Sequence, residues 1–289
     1  MPTRAEIRDR MVKAGVKICG MVDFCCLRDK LIPCSALRRL PVNAKTVIMA
    51  LFPYYLPLEG DRRISRYAVP RDYHLTVGES LTAASKKLKE DFPDNEFVPF
   101  CDASPIPEVY AARLAGLGAA GRHGLLINRE FGSFVFIGEI VTDLEVSGEM
   151  EKAGEDCLSC GLCVRSCPGG AIGANGIDRE RCVSHLTQKK GVLTGEQERL
   201  IQKSGSLWGC DICQDVCPMN RKIRETGLKP FRDDLKMTIT PDELEQEDFA
   251  VRMKDRAFLW RGIGVLKRNL RILKGAPADN KDKSSVKEC

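Results

Sequence analysis

An α+β fold is predicted for this sequence: an N-terminal domain that mixes strands and helices, then a module organised by cysteine, then a short helical C-terminus. Three observations predict it. Short apolar runs alternate with helix-period segments through the first 150 residues. Eight of the fourteen cysteines fall between Cys157 and Cys217. Past residue 240 the apolar residues return at helical spacing. With 289 residues, 43% of them hydrophobic, the chain carries enough apolar material for one large core or two ordinary ones, which excludes disorder as its main state.

Thr3 with Glu6 three residues on is a capping box, so a helix is expected over Thr3 to Ala14, stopped by Gly15. A β-rich apolar stretch, Val16 to Val22, follows. Thr46 to Phe52 (TVIMALF) is a continuous apolar run and reads as a buried strand. Arg71 to Phe92 places Leu75, Leu81, Ala84 and Leu88 at helical spacing, and Phe97 to Cys101 reads as a strand. Pro105 or Pro107 opens a helix that runs to Leu114 before the Gly116-Leu117-Gly118 break, and Phe134 to Val141 is a further strand. Residues 1–150 thus form one α+β or α/β domain. Residues 151–220 read as loops and short helices held by cysteine, residues 221–275 as a basic helical segment with helices over Pro241 to Arg256 and Phe258 to Leu273, and residues 276–289 as a loose polar tail. The two cysteine motifs are the only internal repeat.

The net charge of +5 permits a nucleic-acid partner without implying one. No stretch approaches the ~18 uninterrupted apolar residues of a membrane span, since the richest run, Val47 to Leu58, is broken by Pro53 and Pro57. Met1-Pro2-Thr3-Arg4-Ala5-Glu6 offers no apolar signal region, so a cytoplasmic protein is expected. In that compartment thiols stay reduced, which makes metal ligation, rather than disulfide bonding, the leading explanation of so many cysteines.

Cys157-x2-Cys160-x2-Cys163-x3-Cys167-Pro168 is the spacing with which bacterial ferredoxins wrap a [4Fe–4S] cube: three thiolates three residues apart reach three irons, and the fourth serves another cluster. Structural zinc is the bland alternative, but it uses separated cysteine pairs. The second run, Cys210-x2-Cys213-x3-Cys217-Pro218, has only three cysteines. Crossed ligation assigns Cys217 to Cys157, Cys160 and Cys163, and Cys167 to Cys210 and Cys213; Cys182, the only other cysteine between the motifs, completes the second set. Two clusters with crossed ligands would lie close enough to pass electrons. Cys19, Cys25, Cys26, Cys34, Cys101 and Cys289 read as structural or incidental.

Several co-linear motifs carry a resemblance. Cys182-Val-Ser-His-Leu-Thr-Gln188, Trp208-Gly-Cys-Asp-Ile-Cys-Gln-Asp-Val-Cys-Pro218, Arg66-Tyr-Ala68 with Arg71-Asp-Tyr-His74, Ala115-Gly-Leu-Gly118 through Gly132-Ser133 to Gly138-Glu139, and Leu259-Trp-Arg-Gly262 with Arg268-Asn269 resemble the epoxyqueuosine reductases, relatives of reductive dehalogenases, from about residue 44 to about 274. The resemblance implies an enzyme that binds cobalamin in its N-terminal domain. It would remove the epoxide oxygen of epoxyqueuosine at the tRNA wobble position, with electrons arriving from reduced ferredoxin or flavodoxin through both clusters. It implies Asp102, in Cys101-Asp-Ala-Ser-Pro-Ile-Pro-Glu108, as the acid that protonates the departing oxygen. Ser65, Asp102, Leu126, Ile137, Ser184 and Gln188 are the implied cobalamin contacts. Without the resemblance, Asp102 reads as a helix N-cap. The chain departs from the family pattern before Ala44, at Val109 and at Gly121-Arg122-His123, and it stops where most members continue into HEAT-like repeats, so a short form is expected.

Asp72-Tyr-His74-Leu-Thr-Val-Gly78 also fits the D-x-H-x-x-G pattern whose His ligates cobalt in corrinoid mutases, but the later Ser and Gly-Gly elements are missing and helix-start packing is the preferred reading of His74. From Val251 to Lys274, eight basic residues (Arg252, Lys254, Arg256, Arg261, Lys267, Arg268, Arg271, Lys274) face Asp255 alone, which reads either as a solvated face or as phosphate contacts to a tRNA stem-loop. Two rivals to the tRNA reductase stay open: a corrinoid-dependent reductase of a small molecule, and a non-catalytic two-cluster electron carrier or corrinoid reactivator.

Overall fold

The computed structural model describes residues 1–154 and 156–275, so the expected loose tail lies outside the described residues. Helix α1 (Arg4–Lys13) starts on the expected capping box, with Thr3 N–H donating to Glu6 Oε2 at 2.8 Å and Glu6 N–H to Thr3 Oγ1 at 3.2 Å. It leads into β1 (Ile18–Asp23). β2 (Thr46–Pro53) follows, buried at every position. α2 (Tyr73–Asp91) is capped by Asp72 and followed by β3 (Phe97–Phe100) and α3 (Glu108–Leu114). Two-residue strands β4 (Ala119–Ala120) and β5 (Leu126–Ile127) pair with each other ahead of β6 (Val135–Thr142).

The main sheet has the order β1-β2-β6-β3 and every pairing is antiparallel, with Thr46 opposite Thr142 and Ala50 opposite Gly138. The α+β alternative is therefore the one realised. Strand β2 is apolar throughout because both its faces are covered, and its two-residue period divides it cleanly. Ile48 and Ala50 join Ile7 and Met11 of α1 and Val77, Leu81 and Leu88 of α2 in one core, whereas Val47 and Met49 join Ala111 and Ala112 of α3 in a second. Gly138 lets α2 come this close, since a Cβ there would lie 2.6 Å from Leu81 Cδ1.

The cysteine-rich segment holds α4 (Leu162–Ser166), β7 (Ile172–Gly173), β8 (Gly176–Ile177), α5 (Val183–Leu186), α6 (Gly195–Ser204) and α7 (Ile212–Asp215). Beyond it come α8 (Pro241–Leu244), α9 (Phe249–Arg252) and α10 (Ile263–Leu273). Both C-terminal helix expectations need correction. Pro241 to Arg256 is broken between α8 and α9: Leu244 and Phe249 both enter a third core, and positions five apart on one continuous helix face different sides. Phe258 to Leu273 is broken at Gly262, whose φ of +87° no helix accepts, leaving a 3₁₀ turn at Ala257–Leu259 before α10. The third core also takes Ile64, Ala68, Val69, Leu207 and Trp208, so the C-terminal helices pack onto the N-terminal domain and onto the cysteine-rich segment together. Among the described residues no helix is long and apolar enough to cross a membrane.

Candidate functional site

Eight of the described cysteines fall into two groups of four. The Cys157 and Cys160 thiols are close enough to act electrostatically on both Cys163 and Cys217, and Cys217 packs with Cys157, Ala119 and Ile127. The other group is Cys213, Cys210, Cys182 and Cys167, whose thiols act on one another in the same way. Burial first, and then the neighbouring thiols, push Cys213 up, while burial and then the Asp211 carboxylate, ahead of the Cys182 and Cys167 thiols, raise Cys210 to about 11. Burial and mutual repulsion disfavour the ionised form of these four sulfurs, and the cationic core of an iron–sulfur cube would offset both.

The backbone serves the same end. Amide N–H groups reach sulfur at Cys163 (from Val164), Cys210 (from Ile212) and Cys217 (from Met219 and Asn220), while Ala171 N–H meets Cys167 Sγ at 3.3 Å. These donors stabilise ligand charge and tune a cluster's potential. Gly161, at φ +72°, turns the chain between Cys160 and α4. Among the described residues no three His, Cys, Asp or Glu side chains sit as ligands of a single metal ion. A cube presents irons at separate corners, so its thiolates stand further apart than those round one zinc.

Asp102 is not a helix cap. Helix α3 begins six residues later, with Pro107 at its N-cap, and Asp102 and Ala103 hold left-handed φ values of +51° and +33°. Strain of this kind persists where surrounding structure over-determines it. Here Ser104 Oγ donates to the buried Glu139 carboxylate, Ile106 N–H donates to Ser104 Oγ at 3.0 Å, and the Asp102 amide is directed at Glu108. Burial pushes Glu139 up to about 8 and raises Glu108 well above the usual carboxylate range, and one oxygen of each is buried without a partner.

The Asp102 carboxylate is half-exposed to a cavity of about 570 Å³, lined by Tyr67, Tyr73, His74, Asp102, Gln188 and Trp260 among others. Its Oδ2 accepts from the Tyr73 hydroxyl and lies 3.2 Å from His74 Nε2. Desolvation alone would raise Asp102, but the hydrogen bonds from His74 and Tyr73 outweigh it and hold the carboxyl below its usual value. Burial keeps the Tyr73 phenol firmly protonated. A second cavity, about 430 Å³, is lined by Cys167, Cys182, Cys210 and Cys213 together with Ser184 and Gln188. Gln188 belongs to both walls, so the Asp102 cavity and the second cysteine group are separated by one side chain. Adjoining cavities beside a strained acid and a redox group suit a large cofactor that spans both, and cobalamin would be held by Asp102 on one side and by Ser184 and Gln188 on the other.

Residues 156–220 match the model of a 4Fe-4S double cluster binding domain, and residues 35–103 match that of Epoxyqueuosine reductase QueG, DUF1730. An epoxyqueuosine reductase of Leadbetterella byssophila is 33% identical over 243 residues, covering 82% of this chain and 80% of that protein. This chain belongs to the epoxyqueuosine reductase family. The family member of Vibrio cholerae is 36% identical over 73% of this chain, which spans only 58% of that longer protein. Among solved structures, the epoxyqueuosine reductase of Streptococcus thermophilus superposes with a TM-score of 0.77 at 25% identity, over 94% of this chain and 81% of that one. An epoxyqueuosine reductase solved with an epoxyqueuosine-modified tRNA-Tyr stem loop shares the fold at a TM-score of 0.81 and 24% identity, over 97% of this chain and 82% of that one.

Of the contacts that the resemblance to epoxyqueuosine reductases implies, the structure places Asp102 in the wall of one of these two cavities, Ser184 in the wall of the other and Gln188 in both. Ser65, Leu126 and Ile137 are not among the residues lining either. Ser65 is buried with its Oγ on Asp211 and its amide on Trp208 O, where it seats the N-terminal domain against the Cys210 loop. Leu126 sinks into the core beneath α3, and its neighbours Gly124 and Leu125 line the cavity instead. Ile137 packs at the edge of the same core, opposite Leu51. Tyr73, Tyr67 and Trp260 were missed as site residues; Tyr-His in the first turn of α2, directly after a capping Asp, was the available signal. His74 is not a free metal ligand, because both its ring nitrogens are engaged by carboxylates.

The basic C-terminal segment pairs five of its eight cations within the chain, some buried and some at the surface. Arg256 is buried against Asp234 and Val69 O, Arg268 donates to the carbonyls of Leu186, Lys189 and Gly191, and Arg252, Lys267 and Arg271 pair with Asp248, Glu245 and Glu198. Arg261 instead stacks on the exposed Trp260 ring, 3.6 Å from its centroid, at the rim of the Asp102 cavity.

Proposed function

We propose that this protein reduces epoxyqueuosine to queuosine at the wobble position of tRNA, in the cytoplasm, with electrons passing from a reduced ferredoxin or flavodoxin through two [4Fe–4S] clusters to cobalamin. The observation that carries this reading is a pair of cavities with Gln188 in both walls, one lined by Asp102 and the other by Cys167, Cys182, Cys210 and Cys213. When bound there, cobalamin supplies a strongly reducing, nucleophilic cobalt for the epoxide carbon.

The chain's own residues do the rest. Removing an epoxide oxygen leaves a negative charge on that oxygen, and the Asp102 cavity holds the groups that meet it: a carboxylate and the O–H and N–H donors of Tyr73 and His74. Ser104 and Glu139 hold the Asp102 loop in its strained form, so the geometry is set before substrate arrives. Trp260, exposed at the rim and backed by Arg261, offers a flat aromatic face to an unpaired base of an anticodon loop. The test is to incubate the anaerobically reconstituted protein with cobalamin, a reductant and epoxyqueuosine-containing tRNA, then to analyse the nucleosides by mass spectrometry. Conversion to queuosine supports the reading, and unchanged epoxyqueuosine with both clusters intact overturns it.

A further inference from the structure

We propose that His74 is the proton store of Asp102: its Nε2–H passes to Asp102 Oδ2 as Asp102 protonates the oxygen leaving the epoxide. The inference rests on the reductase reading and deepens it. Its ground is the arrangement of acceptors round the imidazole. His74 Nδ1 lies 2.8 Å from Asp72 Oδ1 and Nε2 lies 3.2 Å from Asp102 Oδ2. Ionised carboxylates only accept, so both nitrogens must carry hydrogen, and only the imidazolium satisfies both contacts. Asp72 is itself fixed as the α2 cap by accepting from His74 N–H at 3.0 Å, and the ring stacks on Tyr73 with centroids 4.1 Å apart, so the fork is rigid.

Asp102, by contrast, has no proton of its own to give. Its Oδ2 already receives Tyr73 and His74, and these donors hold it ionised. Of the two donors, Tyr73 is locked in its protonated form by burial. His74 is half-exposed and open to recharging from water. The groups facing it are Asp72 and Asp102, with Tyr73 against the ring, Tyr67 across the cavity and Glu108 behind the loop. Hydrogen bonds donated to Asp102 and then to Asp72 raise His74 to about 9.

The step balances. Two electrons from the reductant and two protons convert the epoxide to an alkene, breaking both C–O bonds, forming C=C and releasing the oxygen as water. The first proton runs from His74 through Asp102, and the second follows once solvent has reprotonated His74.

The test compares parent, His74→Gln and Tyr73→Phe over pH 6–10. Iron, sulfide and bound cobalamin are measured alongside kcat and KM. For the parent, kcat should fall as pH rises through about 9, where the imidazolium is lost. His74→Gln should lose ~10²-fold in kcat with KM within a few-fold, and its rate should climb as pH falls instead of showing that limb. Tyr73→Phe should keep the limb. The chain has three histidines, so the His74 resonance in isotope-labelled holoenzyme is assigned by difference against His74→Gln, and it should titrate near 9, moving down in Asp102→Asn. An unchanged limb in His74→Gln, or titration of His74 near the ordinary 6.5, overturns the proposal. If the parent makes no queuosine at any pH, the reductase reading falls, and the resonance titration alone then decides whether the proton resides on His74.

Discussion

Replacing Cys217 by Ala should remove the cube held by Cys157, Cys160 and Cys163 and leave the cube of its near neighbours Cys210 and Cys213 intact. The structure sets this outcome: the Cys217 sulfur lies with Cys157 and Cys160 and against Ala119 and Ile127, while Cys210 and Cys213 lie with Cys167 and Cys182. Asn220 ties the following turn to Ser133 and Gln214 through its side chain, so the substitution does not release the loop. One ligand of four is lost from one centre, and iron and sulfide should therefore fall from about eight to about four each per chain. The assay is anaerobic metal and sulfide analysis with electron paramagnetic resonance of the reduced protein. The parent should show two interacting centres, and the variant one isolated centre. Cys210→Ala should give the complementary loss. If Cys217→Ala disturbed only the centre bound by Cys210 and Cys213, the crossed assignment would be refuted; stoichiometric zinc in the parent would refute the cube itself.

Three further outcomes are expected. Asp102→Asn keeps the left-handed backbone that Asn tolerates, and should retain both clusters while losing ~10²–10⁴-fold in turnover; activity within a few-fold of the parent removes Asp102 from proton transfer. Glu139 is raised to about 8, so the native chain holds a proton that the unfolded chain has released above its ordinary 4.5; that contribution to stability is full below 4.5 and is lost as pH rises towards 8, at ~1.4 kcal/mol per pH unit. Glu139→Gln should flatten this fall, read as unfolding midpoints between pH 5.5 and 8, and an identical slope in both proteins sinks the buried-acid assignment. Arg268→Gln should cost about 1 kcal/mol by stripping partly buried carbonyls of their donor and leave stem-loop affinity unchanged, whereas Arg261→Ala should weaken that affinity and lower its salt slope by about one.

Much of this protein is legible in the chain because the signals are local. The capping box at Thr3 and Glu6, the apolar run of β2 and the period of α2 each depend on residues within a turn or two, and they appear in the structure where the sequence puts them. The cysteine spacing is local in the same sense, since a cube demands thiolates at fixed short intervals. Pairings across long stretches of chain were decided only by packing. Asp102 meets Tyr73 and His74 because β3 and α2 lie side by side, and nothing near Asp102 in the sequence names them. The basic C-terminal segment shows the limit most plainly: composition counts its charges, but whether a guanidinium lies on an exposed aromatic ring, as Arg261 does over Trp260, or is consumed by carbonyls, as Arg268 is, depends on which helix face the third core pulls inward. That choice is a property of the packed molecule, because the burial of Leu266 and Leu270 orients α10 and its cations follow.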